Sequence, residues 1–166
     1  GIVSAFNQVY PMIPHQRCFV HIHRQLNAWL SNNPRTQAGK DLKVNITGLA
    51  TIPNQQAKDW FVAQWKNWCS QFEVFLNERT YLKGTTKKWQ YTHRNLRHCR
   101  SLVAGALPDM WHYLDDARIP KDTNSLEGRF SSLKQHYLQH RGLATTRREA
   151  YLSWYVKVCT NGNHKG

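Results

Sequence analysis

One glutamate, Glu127, stands in the stretch "IPKDTNSLEGRFSSLKQHYLQH" (119–140), among Lys, Arg and His residues, on a chain with 23 Lys and Arg against 10 Asp and Glu. A carboxylate with cations around it is suited to holding a divalent metal against a phosphodiester. Hard cations take oxygen ligands, and positive charge brings phosphate to them. On a helical wheel Leu126, Phe130, Leu133 and Tyr137 form an apolar stripe, and Glu127, about 100° from Leu126, falls on its shoulder with Ser131, Lys134 and Arg141. The same residues admit a local reading. "NSLE" has the Asn-x-x-Glu form of a capping box, with Asn124 as N-cap and Glu127 reaching back to its backbone N–H. Taken alone, the pattern favours the cap.

The cations carry a second kind of chemistry. "KKWQYTHRNLRHCR" contains Lys87, Lys88, Arg94, Arg97 and Arg100, the last three stepping by three along one helical ridge. Like charges at that spacing repel, and a phosphate backbone relieves the repulsion; a solvated face is the even alternative. Arg129, Lys134, Arg141, Arg147 and Arg148 extend the basic character. With a net charge of +13 the chain calls for a polyanionic partner, and DNA leads. An anionic membrane surface is disfavoured, because no apolar run reaches spanning length and no lipidation signal is present. Cys18, His21 and His23 in "CFVHIH", with His136 and His140 in "HYLQH", allow a Cys/His zinc site to be drawn. No paired-cysteine arm supports it, so a half-buried thiol and hydrogen-bonded histidines are expected instead. Widely spaced cysteines without a secretory signal suit a reducing compartment.

The elements that must position these residues are mostly helical. At 166 residues, with 40% hydrophobic residues, the chain suits one globular domain. The opening "GIVSAFNQVYP" has a helical face in Ile2, Ala5, Phe6 and Val9 and no initiator Met, so the chain is expected to be the C-terminal part of a longer protein. Cys18 to Val20, apolar between polar flanks, reads as a strand, followed by a helix with Ile22, Leu26, Trp29 and Leu30 in register. Thr36 to Ile52 is ambiguous, although Leu42, Ile46 and Leu49 share a helical face. "NQQAKDWFVAQWKNWCSQFEVFLNERTYL" reads as one long helix whose Phe61, Trp65, Trp68, Phe72 and Phe75 are expected in the core rather than stacked on bases. Helices follow from about Trp89 to Leu107, at Trp111 to Leu114, around Glu127, and finally with Tyr151, Trp154, Tyr155 and Val158 on one face.

Three of these stretches, in order, resemble a family. "HQRCFVH" looks like the Gln-Arg-Cys-x-x-His segment of bacterial insertion-sequence transposases of the mutator-like class. "WQYTHRNLRHCRSL" resembles their Tyr-Thr-His-x-x-Leu-Arg helix, and the Glu127 stretch resembles their Thr-Asn-x-Leu-Glu-Gly segment with its His-x-Gly-Leu continuation. The resemblance implies an RNase H-like catalytic core whose triad of two Asp and one Glu binds divalent metal, Mg²⁺ or Mn²⁺, with a helical insertion between the second Asp and the Glu. Glu127 would be the triad glutamate, and Cys18 and His21 the Cys-x-x-His pair, packed with Asn124 near the active site. Both aspartates would precede this chain; Asp115, Asp116 and Asp122 do not match them. Asp122 stands where many relatives carry Thr.

On this resemblance the chain is mainly α, the C-terminal part of an RNase H-like α/β core with a large all-α insertion. Residues 1–23 would end the core, 24–118 form the insertion, and 119–166 return the catalytic helices. The implied activity is metal-dependent DNA strand cleavage and transfer by the full-length protein, with the chain inactive alone. The implied partners are transposon ends and target DNA, bound by a homo-oligomer in the bacterial cytoplasm, at the nucleoid, and no membrane. The rival readings are a non-enzymatic basic helical DNA-binding module, a degenerate transposase remnant, and a zinc-stabilised interaction domain.

Overall fold

Apolar residues at three- and four-residue steps decide most of the chain. The computed structural model describes residues 2–84, 88–139 and 142–161, which form nine α-helices, one two-stranded hairpin and short 3-10 turns. In order these are α1 (Ile2–Val9), α2 (Phe19–Leu30), α3 (Gln37–Thr47), α4 (Gln55–Gln71), α5 (Glu73–Leu76), β1 (Arg79–Tyr81), β2 (Trp89–Tyr91), α6 (Arg94–Ala106), α7 (His112–Asp115), α8 (Asn124–Gln139) and α9 (Thr145–Asn161). They fall into two compact units, one ending at Asp122 and one beginning at Thr123. No helix among the described residues is long and apolar enough to cross a membrane.

The first unit owns the core. Phe19, Ile22, Leu26 and Leu30 of α2 are buried with Ala38, Leu42 and Ile46 of α3, Phe61 and Trp68 of α4, and Leu96, Cys99 and Val103 of α6. Each large apolar side chain so buried contributes about 1.5–3 kcal/mol. The long-helix aromatics are core, as expected: Phe61 and Trp68 are buried, and Trp65, Phe72 and Phe75 pack against them. Two polar ends inside find backbone acceptors. The Trp68 indole N–H donates to the Ala38 carbonyl at 2.8 Å, and the Tyr113 hydroxyl to the Ile52 carbonyl at 2.8 Å. Two helix starts are capped by side chains, α3 by Thr36 Oγ1 accepting from the Gly39 N–H and α4 by Asn54 Oδ1 accepting from the Ala57 N–H. A Cβ at Gly39 would lie 2.8 Å from Pro34 Cβ, so any larger residue there forces the turn to shift.

Several sequence expectations are corrected. Cys18 to Val20 is not a strand: Cys18 is the residue before α2, and Phe19 and Val20 are its first turn. Phe19, three residues before Ile22, carries the helical register backwards. Cys18, just ahead of it, has an extended backbone, and no strand is formed there among the described residues. Arg17 N–H donates to the Asp109 carbonyl at 2.7 Å, and the Gln16 amide to the Met110 carbonyl at 2.8 Å. The strands are β1 and β2, antiparallel, with Arg79 opposite Tyr91, Thr80 opposite Gln90 and Tyr81 opposite Trp89. Thr, Tyr and Trp favour a pleated surface, and Gly84 takes φ 75° in the connection. Trp89 therefore lies in a strand, and α6 begins only at Arg94. The long helix breaks at Phe72 (φ −104°, ψ 15°) before the short α5. The ambiguous stretch contains α3 and a 3-10 turn over Leu49–Thr51.

The second unit is α8 and α9. Ser132 Oγ and the Tyr155 hydroxyl are 3.0 Å apart, and the His136 and Tyr155 rings are 5.6 Å apart. None of its described side chains is buried. Of the expected α8 stripe only Leu133 and Tyr137 are half-buried, while Leu126 and Phe130 are 48% and 58% exposed. On α9 Tyr151 and Tyr155 are half-buried, but Trp154 and Val158 are exposed. Two helices cannot enclose a core between them.

Candidate functional site

Glu127 lies in the first turn of α8 and is half-buried. The Thr123 carbonyl accepts the Glu127 N–H at 2.7 Å, the first bond of the helix, and the Thr123 hydroxyl donates to Glu127 Oε1 at 2.9 Å. The cap is thus Thr123, not Asn124. Asn124 is the first helical residue, which puts Glu127 one position too far along for the expected box. Its carboxylate is oriented by a hydroxyl, and a negative charge in a first turn is favoured by the helix dipole. Lys134, seven residues on, lies within about 20° of Glu127 around α8, whereas Arg129 is about 160° away. Both cations are exposed. Arg141 and His140 lie outside the described residues, as does Lys87.

In the first unit, Cys18 is half-buried and its carbonyl accepts the Ile22 N–H at 3.2 Å, while His21 is exposed on the first turn of α2. His23 is within 3.2 Å of the Asn27 amide. Arg94, Arg97 and Arg100 do follow one another on α6, but they are not equivalent. Arg97 donates to the Leu76 carbonyl at 3.2 Å and to Asn77 Oδ1 at 2.6 Å, and its guanidinium lies 3.5 Å from the Tyr91 ring centre. Arg100 pairs with Glu73 at 2.9 Å. The Asn77 amide and then Arg100 hold the Glu73 carboxyl below its ordinary range. Arg94 and Lys88 are exposed. Of the linker carboxylates, Asp116 forms a fork with Arg118, at 2.7 Å to Nη2, and those bonds hold its carboxyl down at about 2.

Two groups of residues escaped the sequence reading. Thr123 was hidden by the better-known cap residue beside it. The second group is one face of the hairpin, where Arg79 lies 4.1 Å from the Trp89 ring centre and 5.9 Å from that of Tyr91. Two β-rich triplets flanking Lys83-Gly84 were its signal. Burial pushes the Cys99 thiol up to about 12, and Cys69 is raised likewise, so neither is a nucleophile at neutral pH. Comparison with protein-family models, with curated proteins and with solved structures returns no match.

Proposed function

We propose that the chain is the glutamate-bearing part of a DNA transposase of the bacterial insertion-sequence, mutator-like class, and that its helices complete an RNase H-like core. The observation that carries this reading is the ordered resemblance of three segments, the last of which puts Glu127 at the triad position. The surroundings of Glu127 agree with the role. It is a hard oxygen donor, half-buried, and fixed by a threonine hydroxyl as metal-binding carboxylates are fixed by their outer partners. One carboxylate supplies one or two of the six ligands that Mg²⁺ takes. The rest of the set is two aspartates, which the resemblance places ahead of this chain, and water.

Within that site Glu127 would hold Mg²⁺ or Mn²⁺, and the Thr123 hydroxyl would orient its carboxylate. When bound, the metal supplies Lewis-acid activation of the phosphodiester and of the attacking hydroxyl. Lys134, Lys88 and Arg94 draw DNA by unspecific charge, and the whole protein works as a homo-oligomer on transposon ends and target DNA. The test is Glu127→Gln in the full-length protein. Loss of Mg²⁺-dependent cleavage and strand transfer with DNA binding intact is expected, because the amide keeps the size but not the charge. Cleavage at the wild-type rate rejects the reading.

A second reading, a non-enzymatic basic DNA-binding module, is favoured by the Thr123–Glu127 bond itself, which gives the carboxylate a use within its own helix. There Gln serves as well as Glu.

A further inference from the structure

The hairpin offers something for which neither catalysis nor the core has a use. Residues opposite one another in an antiparallel pair point to the same side, so Arg79, Tyr81, Trp89 and Tyr91 share one face. Tyr81 is 76% and Trp89 36% exposed. The Trp89 and Tyr91 rings meet edge to face at 5.1 Å, Arg79 stacks over Trp89, and Arg97 covers Tyr91 from α6. From Arg79 to His93 the sequence has no carboxylate, while Lys83 and Lys88 in the same stretch are exposed and add positive charge.

The base of this face is fixed. The Phe75 and His93 rings stack at 3.7 Å, His93 meets Glu78 at 2.9 Å, and Arg97 ties α6 to the residues just before β1. On the other face the Thr80 and Thr92 hydroxyls lie 2.8 Å apart.

We infer that this face is a stacking platform for the unpaired bases of single-stranded DNA. Exposed rings gain from a base only when its own faces are open, and a duplex base is already covered by its neighbours. The Arg79 guanidinium over Trp89 supplies matching charge for the backbone between such bases, with Lys83 and Lys88 in the same stretch of chain. Cations alone would serve any phosphate chain; the exposed Tyr81 and Trp89 make the choice of an unpaired strand. DNA is named because it is the nucleic acid of the function proposed above. Binding here is read without cleavage, so the two ideas fail separately.

The experiment measures binding of the chain to labelled oligo-thymidine and to a duplex of equal length by anisotropy, at fixed salt. The double variant Tyr81→Ala/Trp89→Ala is expected to lose about tenfold or more in affinity for the single strand and less than about twofold for the duplex. Tyr81→Phe/Trp89→Phe, which keeps both rings, is expected to bind the single strand as the wild type does. Equal losses on both nucleic acids, no loss at all, or a Phe variant as weak as the Ala variant would each overturn the platform.

Discussion

A single hydroxyl decides how firmly Glu127 is aimed. Thr123 is both N-cap of α8 and donor to Oε1, so Thr123→Val removes the bond while keeping the shape. On the transposase reading it should raise the Mg²⁺ concentration needed for half-maximal cleavage by about tenfold. Thr123→Ser should restore it, which loss of fold would not allow. Asp116 responds to pH instead. Its carboxyl sits at about 2 in the folded chain against an ordinary 3.8, so the Arg118 fork stabilises fully above 3.8 and that contribution disappears as the pH falls through about 2. Acid titration followed by circular dichroism should show a flatter stability loss over that window in Asp116→Asn. At this scale the sequence showed which residue types were rare and not what they bond to. A lone glutamate among cations stood out, whereas the Thr123 bond depends on where the helix starts, which a capping pattern shifted by one residue concealed.

Among the elements, α6 shows how a regular spacing can mislead. Three arginines at three-residue steps look alike on a wheel, but α5 and the hairpin claim two of them. Arg97 and Arg100 already have their partners in Asn77 and Glu73, and only Arg94 is exposed. Arg94→Ala should therefore lower the slope of log affinity for DNA against log salt by about 0.9, while Arg97→Ala and Arg100→Ala lower the melting temperature and leave the slope in place. Equal slope changes in all three variants would return them to the phosphate backbone. Long amphipathic stretches such as α4 and α6 were legible because many side chains repeat one period. The hairpin and the start of α2 were not. A three-residue strand carries too few alternations to outweigh the helical register of its neighbours, and the apolar run before Ile22 fits either period.

For the molecule as a whole, burial is uneven. The first unit encloses side chains from α2, α3, α4 and α6, while the second has none buried among its described residues. Native-state hydrogen exchange should follow that division, slower at the amides of α2, α4 and α6 than at those of α8 and α9. Uniform protection would show that the second unit is held by more than its own two helices. The mainly helical character was legible throughout. How far each unit encloses its apolar faces was not, because a helical stripe records that a face wants cover and not what covers it.

The anchored base of the hairpin has a bearing on time as well as on affinity. With Phe75 stacked on His93 and Arg97 bonded to Leu76 and Asn77, the aromatic face is set before any ligand arrives. A strand that docks there spends little conformational entropy on the protein side, so encounters convert readily into complexes. Discrimination among strands then lies in how long each one stays.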